Sequence, residues 1–220
     1  LAGICRRYLA VALNPITIIG CGPGARECVT LEAMSAIRQA EVLIGTPRLL
    51  ALFPDLTAPA VAVSGRRAEV FDAIEQHRDR KLAVLVTGDP GLASLAAPIV
   101  ESFGLAACRV IPGISSVQVA FARLGLSWEQ VRILSAHASC PQYDPVLMQR
   151  EKAIAVLSGD ANSQAWISSL AAALGPQWQA TIAQNLTLPD ERIFTASPGE
   201  LAKLPQPLRA VIIFQRTEKA

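Results

Sequence analysis

Leu82-Ala83-Val84-Leu85-Val86-Thr87 runs straight into Gly88-Asp89-Pro90-Gly91. The first six residues are almost unbroken apolar, the pattern of a strand covered on both faces, and such strands belong to parallel sheets flanked by helices. The turn behind them marks the carboxyl end of that strand, where open parallel sheets take their ligands. Working outward, the same rhythm repeats on both sides. Towards the N-terminus, Ile16–Gly20 reads as a strand, Leu31–Ala40 as a helix with Leu31, Met34 and Ile37 on one face, and Glu41–Gly45 as a strand. Pro47–Phe53 follows as a short helix, then Ala60–Val63 as a strand and Arg66–His77 as a helix. Beyond the central strand come a helix over Ser94–Phe103, stopped at Gly104, and a fifth strand over Cys108–Ile111. Strands alternating with helices predict an α/β fold with an open, mainly parallel sheet.

A boundary is expected near Pro112-Gly113, which divides the chain into an N-terminal extension over 1–15, an α/β domain over 16–112 and a second domain over 113–220. In the second domain a helix over Ser115–Leu124 leads into strands at Val131–Leu134, Ala153–Leu157, Thr181–Gln184, Arg192–Thr195 and Ala210–Phe214. One sizeable helix, Ser163–Leu174, and a short one, Pro198–Leu204, lie between them. Strands outnumber helices, so a mixed sheet is predicted. Ser135–Leu147, with two prolines, two serines and a cysteine, reads as a loop of functional length.

Composition narrows the function classes. The chain has 220 residues, 51% of them hydrophobic and 17% charged, which fits a compact fold. Positions 1–112 carry eleven basic and ten acidic residues, and positions 113–220 nine and eight. That balance argues against binding nucleic acid by phosphate neutralisation. Five scattered cysteines without a CxxC pair, and only two histidines, give no metal site; the thiols are expected to be mostly small buried hydrophobes of a cytoplasmic protein. No apolar run is long enough to span a membrane.

Three turns carry the chemistry. Gly20-Cys21-Gly22-Pro23-Gly24-Ala25 follows the first strand and fits the loose Gly-x-Gly-x-x-Gly/Ala spacing of a dinucleotide loop. Pro23 removes one N–H from it, and the second strand ends in Ile44-Gly45 where a ribose-reading acid belongs. A tight turn, a dinucleotide loop and a loop for some other cofactor all stay open. Thr87-Gly88-Asp89-Pro90-Gly91 is either a structural turn with Asp89 capping the next helix or a ligand-contacting turn, in which Asp89 accepts from an amine or orients main-chain donors. Pro112-Gly113-Ile114-Ser115-Ser116 repeats the choice between a helix cap and a ligand contact. His77 reads as surface or C-cap material; His137 lies in the long loop of the second domain. No nucleophile–base pair is evident, so an enzyme built on this chain would work by holding two ligands together.

In this order and at these intervals the turns resemble the tetrapyrrole (corrin/porphyrin) methyltransferases. The likeness is greatest to the branch that methylates C5 of precorrin-6Y or cobalt-precorrin-7. Further matching stretches are Leu43-Ile44-Gly45-Thr46-Pro47-Arg48-Leu49-Leu50, Ala122-Arg123-Leu124-Gly125-Leu126 and Asn185-Leu186-Thr187-Leu188-Pro189-Asp190-Glu191-Arg192-Ile193. The resemblance implies two α/β domains, the first sheet mainly parallel and the second mixed, with the active cleft between them. It implies S-adenosylmethionine as cofactor and a homodimer. Cofactor contacts would come from Gly22, Pro23, Gly24, Gly88, Asp89, Pro90, Ser115, Ser116 and Asn185, with the His137 loop and Ser158-Gly159 closing from the second domain.

The same resemblance implies methylation of C5 in cobalamin biosynthesis, with Asp89 orienting the cofactor and His137 accepting or relaying a proton. A precorrin bears several carboxylates, so Arg26 and Arg48 are expected to bind substrate, with Arg66, Arg67 and Arg123 behind them. Only Thr217-Glu218-Lys219-Ala220 follow the last strand, so the expected task is the C5 step, with C15 methylation and decarboxylation left to a partner or a fused domain. Three departures stand out. Ala25 replaces an Asp, Ser135-Ala136-His137-Ala138-Ser139 replaces Ser-x-His-Gly-Arg, and Gln184 replaces a Glu. The rival readings are methylation at another ring position, a nicotinamide-dependent oxidoreductase and a non-catalytic ligand-binding domain.

Overall fold

The computed structural model describes residues 16–137, 139–159, 161–204 and 209–217. The N-terminal extension over 1–15, Cys5 and Ala138 lie outside the described residues. The chain separates into two compact units, one through Ser115 and one from Ser116 onward.

The first unit contains strands β1 (Ile16–Gly20), β2 (Val42–Gly45), β3 (Ala60–Ala62), β4 (Leu82–Val86) and β5 (Cys108–Ile111). They form one sheet in the order β3-β2-β4-β1-β5, with every pair parallel. Its helices are α1 (Leu31–Gln39), α2 (Pro47–Leu50), α3 (Arg67–Gln76) and α4 (Ala96–Phe103). β4 is buried along its whole length, as the apolar run predicts. Its side chains alternate between two cores. Leu82, Val84 and Val86 pack with Val70, Ala73 and Ile74 of α3 and with Ala96 and Ile99 of α4. Ala83 and Leu85 pack on the other face with Ala33 and Ile37 of α1 and Leu49 of α2. α1 is capped by Thr30, whose hydroxyl accepts from Ala33 N at 3.1 Å.

The second unit holds α5 (Ser116–Leu124), β6 (Val131–Ser135), α6 (Pro145–Met148), β7 (Ala153–Leu157), α7 (Ala161–Leu174), β8 (Trp178–Gln184), β9 (Arg192–Ala196), α8 (Pro198–Leu201) and β10 (Ala210–Arg216). Its sheet runs β6-β7-β10-β8-β9, with β6 and β7 parallel and the other pairs antiparallel, a mixed sheet as predicted. Ile167, Leu170, Ala171 and Leu174 of α7 cover one face, against Ile154, Val156, Ile182, Ile212 and Phe214.

Several expectations are corrected. The loop foreseen over Ser135–Leu147 is shorter at both ends: Ser135 belongs to β6, and Asp144 Oδ1 caps α6 by accepting from Val146 N at 2.8 Å. β8 begins at Trp178 rather than Thr181, because Trp178 and Ala180 fill the α7 core. The short helix after β9 stops at Leu201, and the one after β2 stops at Leu50. Among the described cysteines only Cys21 is buried; Cys28 and Cys108 are half-buried and Cys140 is exposed. Among the described residues no helix is long and apolar enough to cross a membrane.

Candidate functional site

β1 and β4 are neighbours, yet the helices that follow them, α1 and α4, pack on opposite faces of the sheet. A crevice therefore opens beyond the carboxyl ends of this pair, the usual ligand position in an open α/β sheet. The turns after β1 and β4 meet there through main-chain bonds. Gly88 N donates to Gly22 O at 2.8 Å, Gly22 N donates to Gly88 O at 3.3 Å, and Cys21 N donates to Val86 O at 2.9 Å. Pro23 is half-buried and Gly24 buried beside this pair.

The turn after β5 packs against the same two. A Cβ on Gly20 would stand 2.6 Å from Gly113 N and 2.7 Å from Gly88 O, while one on Gly113 would stand 2.4 Å from Gly88 O. These glycines are required because three backbones approach with no room between them. Gly88 differs. It lies at φ +69°, and a Cβ there would meet only Ser115 Cα at 4.0 Å. Its side of the crevice is open. Ser115 is buried, and Ser116 is half-buried at the first position of α5.

Asp89 is the tie between the turns. Its Oδ1 accepts from Gly91 N at 2.8 Å and its Oδ2 from Gly113 N at 3.1 Å. The structural role expected of it, capping the next helix, is excluded. α4 starts at Ala96, where Ser94 Oγ accepts from Ala96 N at 3.0 Å and donates to Pro90 O at 2.8 Å. Asp89 instead ties down the main-chain N–H groups of Gly91 and Gly113. In Asp89→Asn an amide NH2 would face one of those N–H groups, leaving two donors opposed. The urea unfolding free energy is expected to fall by about 1–3 kcal/mol. An unchanged midpoint would show that the tie is dispensable.

The two arginines expected to bind substrate are in different electrostatic states. Arg26 Nη1 is paired with Asp55 Oδ2 at 3.1 Å, so its charge is compensated. Arg48, at the start of α2, donates from Nη2 to the neutral Thr87 Oγ1 at 3.0 Å, which places its guanidinium on the turn after β4. Arg66 pairs with Glu69 and Arg123 with Glu191, while Arg67 lies over the Phe71 ring at 4.9 Å. Cys21 sits beneath this edge, fully buried, with its thiol pushed up to about 12 by burial. It is a protonated packing group and not a nucleophile at neutral pH.

In the second unit β6, β7 and β8 run in one direction, so their carboxyl ends share a sheet edge. His137 follows β6 there and is exposed. Ser158 and Gly159 follow β7, and a Cβ on Gly159 would stand 1.8 Å from His137 Nδ1, so only glycine leaves room for the imidazole. Ser158 is fixed to β10: Ser158 N donates to Ala210 O at 3.0 Å, and Ala210 N donates to Ser158 Oγ at 3.2 Å. Asn185 follows β8, with Nδ2 donating to Asp190 Oδ2 at 2.6 Å. His77 is a helix C-cap residue with Nδ1 3.1 Å from Ala73 O, as its position suggested.

The sequence reading missed Gly20 and Gly113 as contact glycines, Gly159 as the floor under His137, and Glu191. A glycine at the end of one strand (Gly20) and another two residues past the end of its neighbour (Gly113) is the signal that could have found the first pair. Nothing local announces Glu191. Its carboxyl is held below the ordinary range, first by Arg123 and then by the Thr187 N–H. Among the described residues no group of three His, Cys, Asp or Glu side chains could hold a metal ion.

Residues 15–202 match the sequence pattern of the tetrapyrrole (corrin/porphyrin) methylases. The cobalt-precorrin-7 C(5)-methyltransferase of Salmonella typhimurium is 29% identical over 178 residues, which is 81% of this chain and 88% of that protein. The solved structure of the cobalamin biosynthesis precorrin-6Y methylase from Archaeoglobus fulgidus is similar at a TM-score of 0.72 and 28% identity, covering 92% of this chain and 98% of that one. A uroporphyrin-III C-methyl transferase from Thermus thermophilus, complexed with S-adenyl homocysteine, shares the fold at a TM-score of 0.74 and 22% identity, covering 92% and 97%.

Proposed function

This chain belongs to the tetrapyrrole (corrin/porphyrin) methylase family, and from that premise we propose that it is an S-adenosylmethionine-dependent methyltransferase. Its substrate on this reading is a precorrin or cobalt-precorrin of cobalamin biosynthesis, methylated at C5. The observation that carries the reading is the crevice at Gly22, Gly88 and Ser115, open on the one side where Gly88 has no Cβ. That open backbone, with Ser115 beside it, fits a bent adenosyl ligand. The position after β2 is Thr46, with no acid for a nicotinamide ribose. Likeness to proteins named for C5 alone favours this ring position over others.

When bound, S-adenosylmethionine supplies a methyl group that is already activated, so the protein need not create an electrophile. What the residues do is bind, orient and exclude water. Asp89 holds the Gly91 and Gly113 amides, and through them the turns that would carry the ligand. Arg48 offers a carboxylate-binding fork at the rim, steadied by Thr87. Arg26, already compensated by Asp55, takes the lesser role. His137, backed by Gly159, stands ready to take or relay a proton. A homodimer, residence in the cytoplasm, and a separate polypeptide or domain for C15 methylation and decarboxylation belong to the same proposal.

Arg48→Ala is expected to raise the KM for the tetrapyrrole about tenfold, the loss of one charge-assisted contact, with S-adenosylmethionine affinity within twofold of the original. An equal loss of cofactor affinity would overturn the assigned role. The activity itself is tested with methyl-labelled S-adenosylmethionine and a precorrin-6 or precorrin-7 substrate, followed by location of the label. Label at C5 supports the proposal; label on another carbon, or none transferred, contradicts it.

A further inference from the structure

The seven-residue hairpin between β8 and β9 holds backbone conformations that one of its residues disfavours. Asn185 lies at φ +50° and Thr187 at φ +72°. Asparagine tolerates this left-handed region; a β-branched threonine rarely enters it and persists there only when its surroundings dictate it. Two acids at the far end of the hairpin do so. Asp190 Oδ2 accepts from Asn185 Nδ2 at 2.6 Å, and Glu191 Oε2 accepts from Thr187 N at 2.6 Å. Glu191 is gripped in turn by Arg123 in the last turn of α5, with Nε 2.7 Å from Oε1 and Nη2 3.4 Å from Oε2. Leu186, buried between these two left-handed residues, pins the hairpin to the unit.

The arrangement has an orientation. Because Asn185 faces a carboxylate, its nitrogen must point at Asp190, which turns its oxygen away from Asp190, able to accept from an N–H or O–H group of a ligand. A hairpin that merely joins two strands has no need of this; glycine at 187 would give the same path without strain. The strain lies at the sheet edge that also carries His137 and Ser158-Gly159.

We infer that Arg123 and Glu191 are positioning residues for methyl transfer, which hold residues 185–187 in the conformation that presents Asn185 to the methyl donor. Neither side chain touches the donor. The inference rests on the proposed reading of Asn185 as a donor-binding residue.

The test uses the full chain, calorimetric titration with S-adenosylmethionine, and steady-state methyl transfer to a precorrin. Glu191→Gln and Arg123→Ala are each expected to raise the Kd and KM for S-adenosylmethionine about tenfold, the loss of a charge-assisted bond, with kcat at saturation within about twofold. Adding Thr187→Gly to Glu191→Gln is expected to restore most of that affinity, because glycine adopts φ +72° unaided. A purely structural clamp would lower Tm without moving the Kd and would not be rescued in this way. If Glu191→Gln fails to fold, Arg123→Lys keeps the charge without the fork, and about a threefold loss is expected. Unchanged affinity in these variants, or a double variant no tighter than Glu191→Gln, overturns the inference alone. Wild-type protein that binds no S-adenosylmethionine overturns the underlying reading as well.

Discussion

Gly113→Ala is expected to leave little folded protein. The added carbon would lie 2.4 Å from Gly88 O and 2.7 Å from the Gly20 carbonyl, and all of these are main-chain atoms of parallel strands or the turns directly behind them. A flexible side chain could swing aside; a sheet backbone cannot. Relief requires β5 or its turn to move away from β1, which breaks the Asp89–Gly113 bond at 3.1 Å as well. Overpacking of ordinary cores costs about 1–3 kcal/mol, and this case is worse, so about 4 kcal/mol or more is expected. That is a large share of the 5–15 kcal/mol typical of a domain. Urea unfolding followed by tryptophan fluorescence checks it. A variant with the midpoint of the original chain would show that the turns are not packed as described.

Gly88→Ala, only two backbones away, is expected to behave in the opposite way. Its new carbon would meet only Ser115 Cα, at an ordinary 4.0 Å, and the cost is confined to alanine at φ +69°, about 1–2 kcal/mol. The protein folds, with a modest drop in unfolding midpoint. Function is another matter, because the methyl group fills the room the ligand needs. A displacement of this size is expected to lower kcat/KM for methyl transfer about 100-fold. Measured together, stability and transfer rate separate a glycine kept for packing from one kept for a ligand. If Gly88→Ala transferred methyl groups at the original rate, the open side of the crevice would not be the cofactor site.

Much of this was legible in the chain, because the strongest signals were local. The apolar run Leu82–Val86 could only be a strand covered on both faces, and it is buried throughout. The glycine turns after β1, β4 and β5 announced the crevice because all three follow strands that run the same way. What stayed hidden depends on partners far along the chain. Arg26 and Arg48 look alike in sequence; the first meets Asp55 and the second meets Thr87, 39 residues away. Asp89 read as either a cap or a ligand contact, since nothing near it reveals that Gly113, 24 residues on, uses its second oxygen. Thr187 gave no sign of a left-handed backbone, which its residue type argues against. α6 was a different failure. Asp144-Pro145 is an N-cap followed by an N1 proline, and the signal was present but lost among the prolines of the loop.

The most direct measurement is a crystal structure of the protein grown with saturating S-adenosylhomocysteine. The account predicts the ligand beyond the carboxyl ends of β1 and β4, in van der Waals contact with Gly88 Cα and against Ser115. Density for the ligand at any other place, or crystals in which the Gly88 face stays bare at saturation, would contradict it.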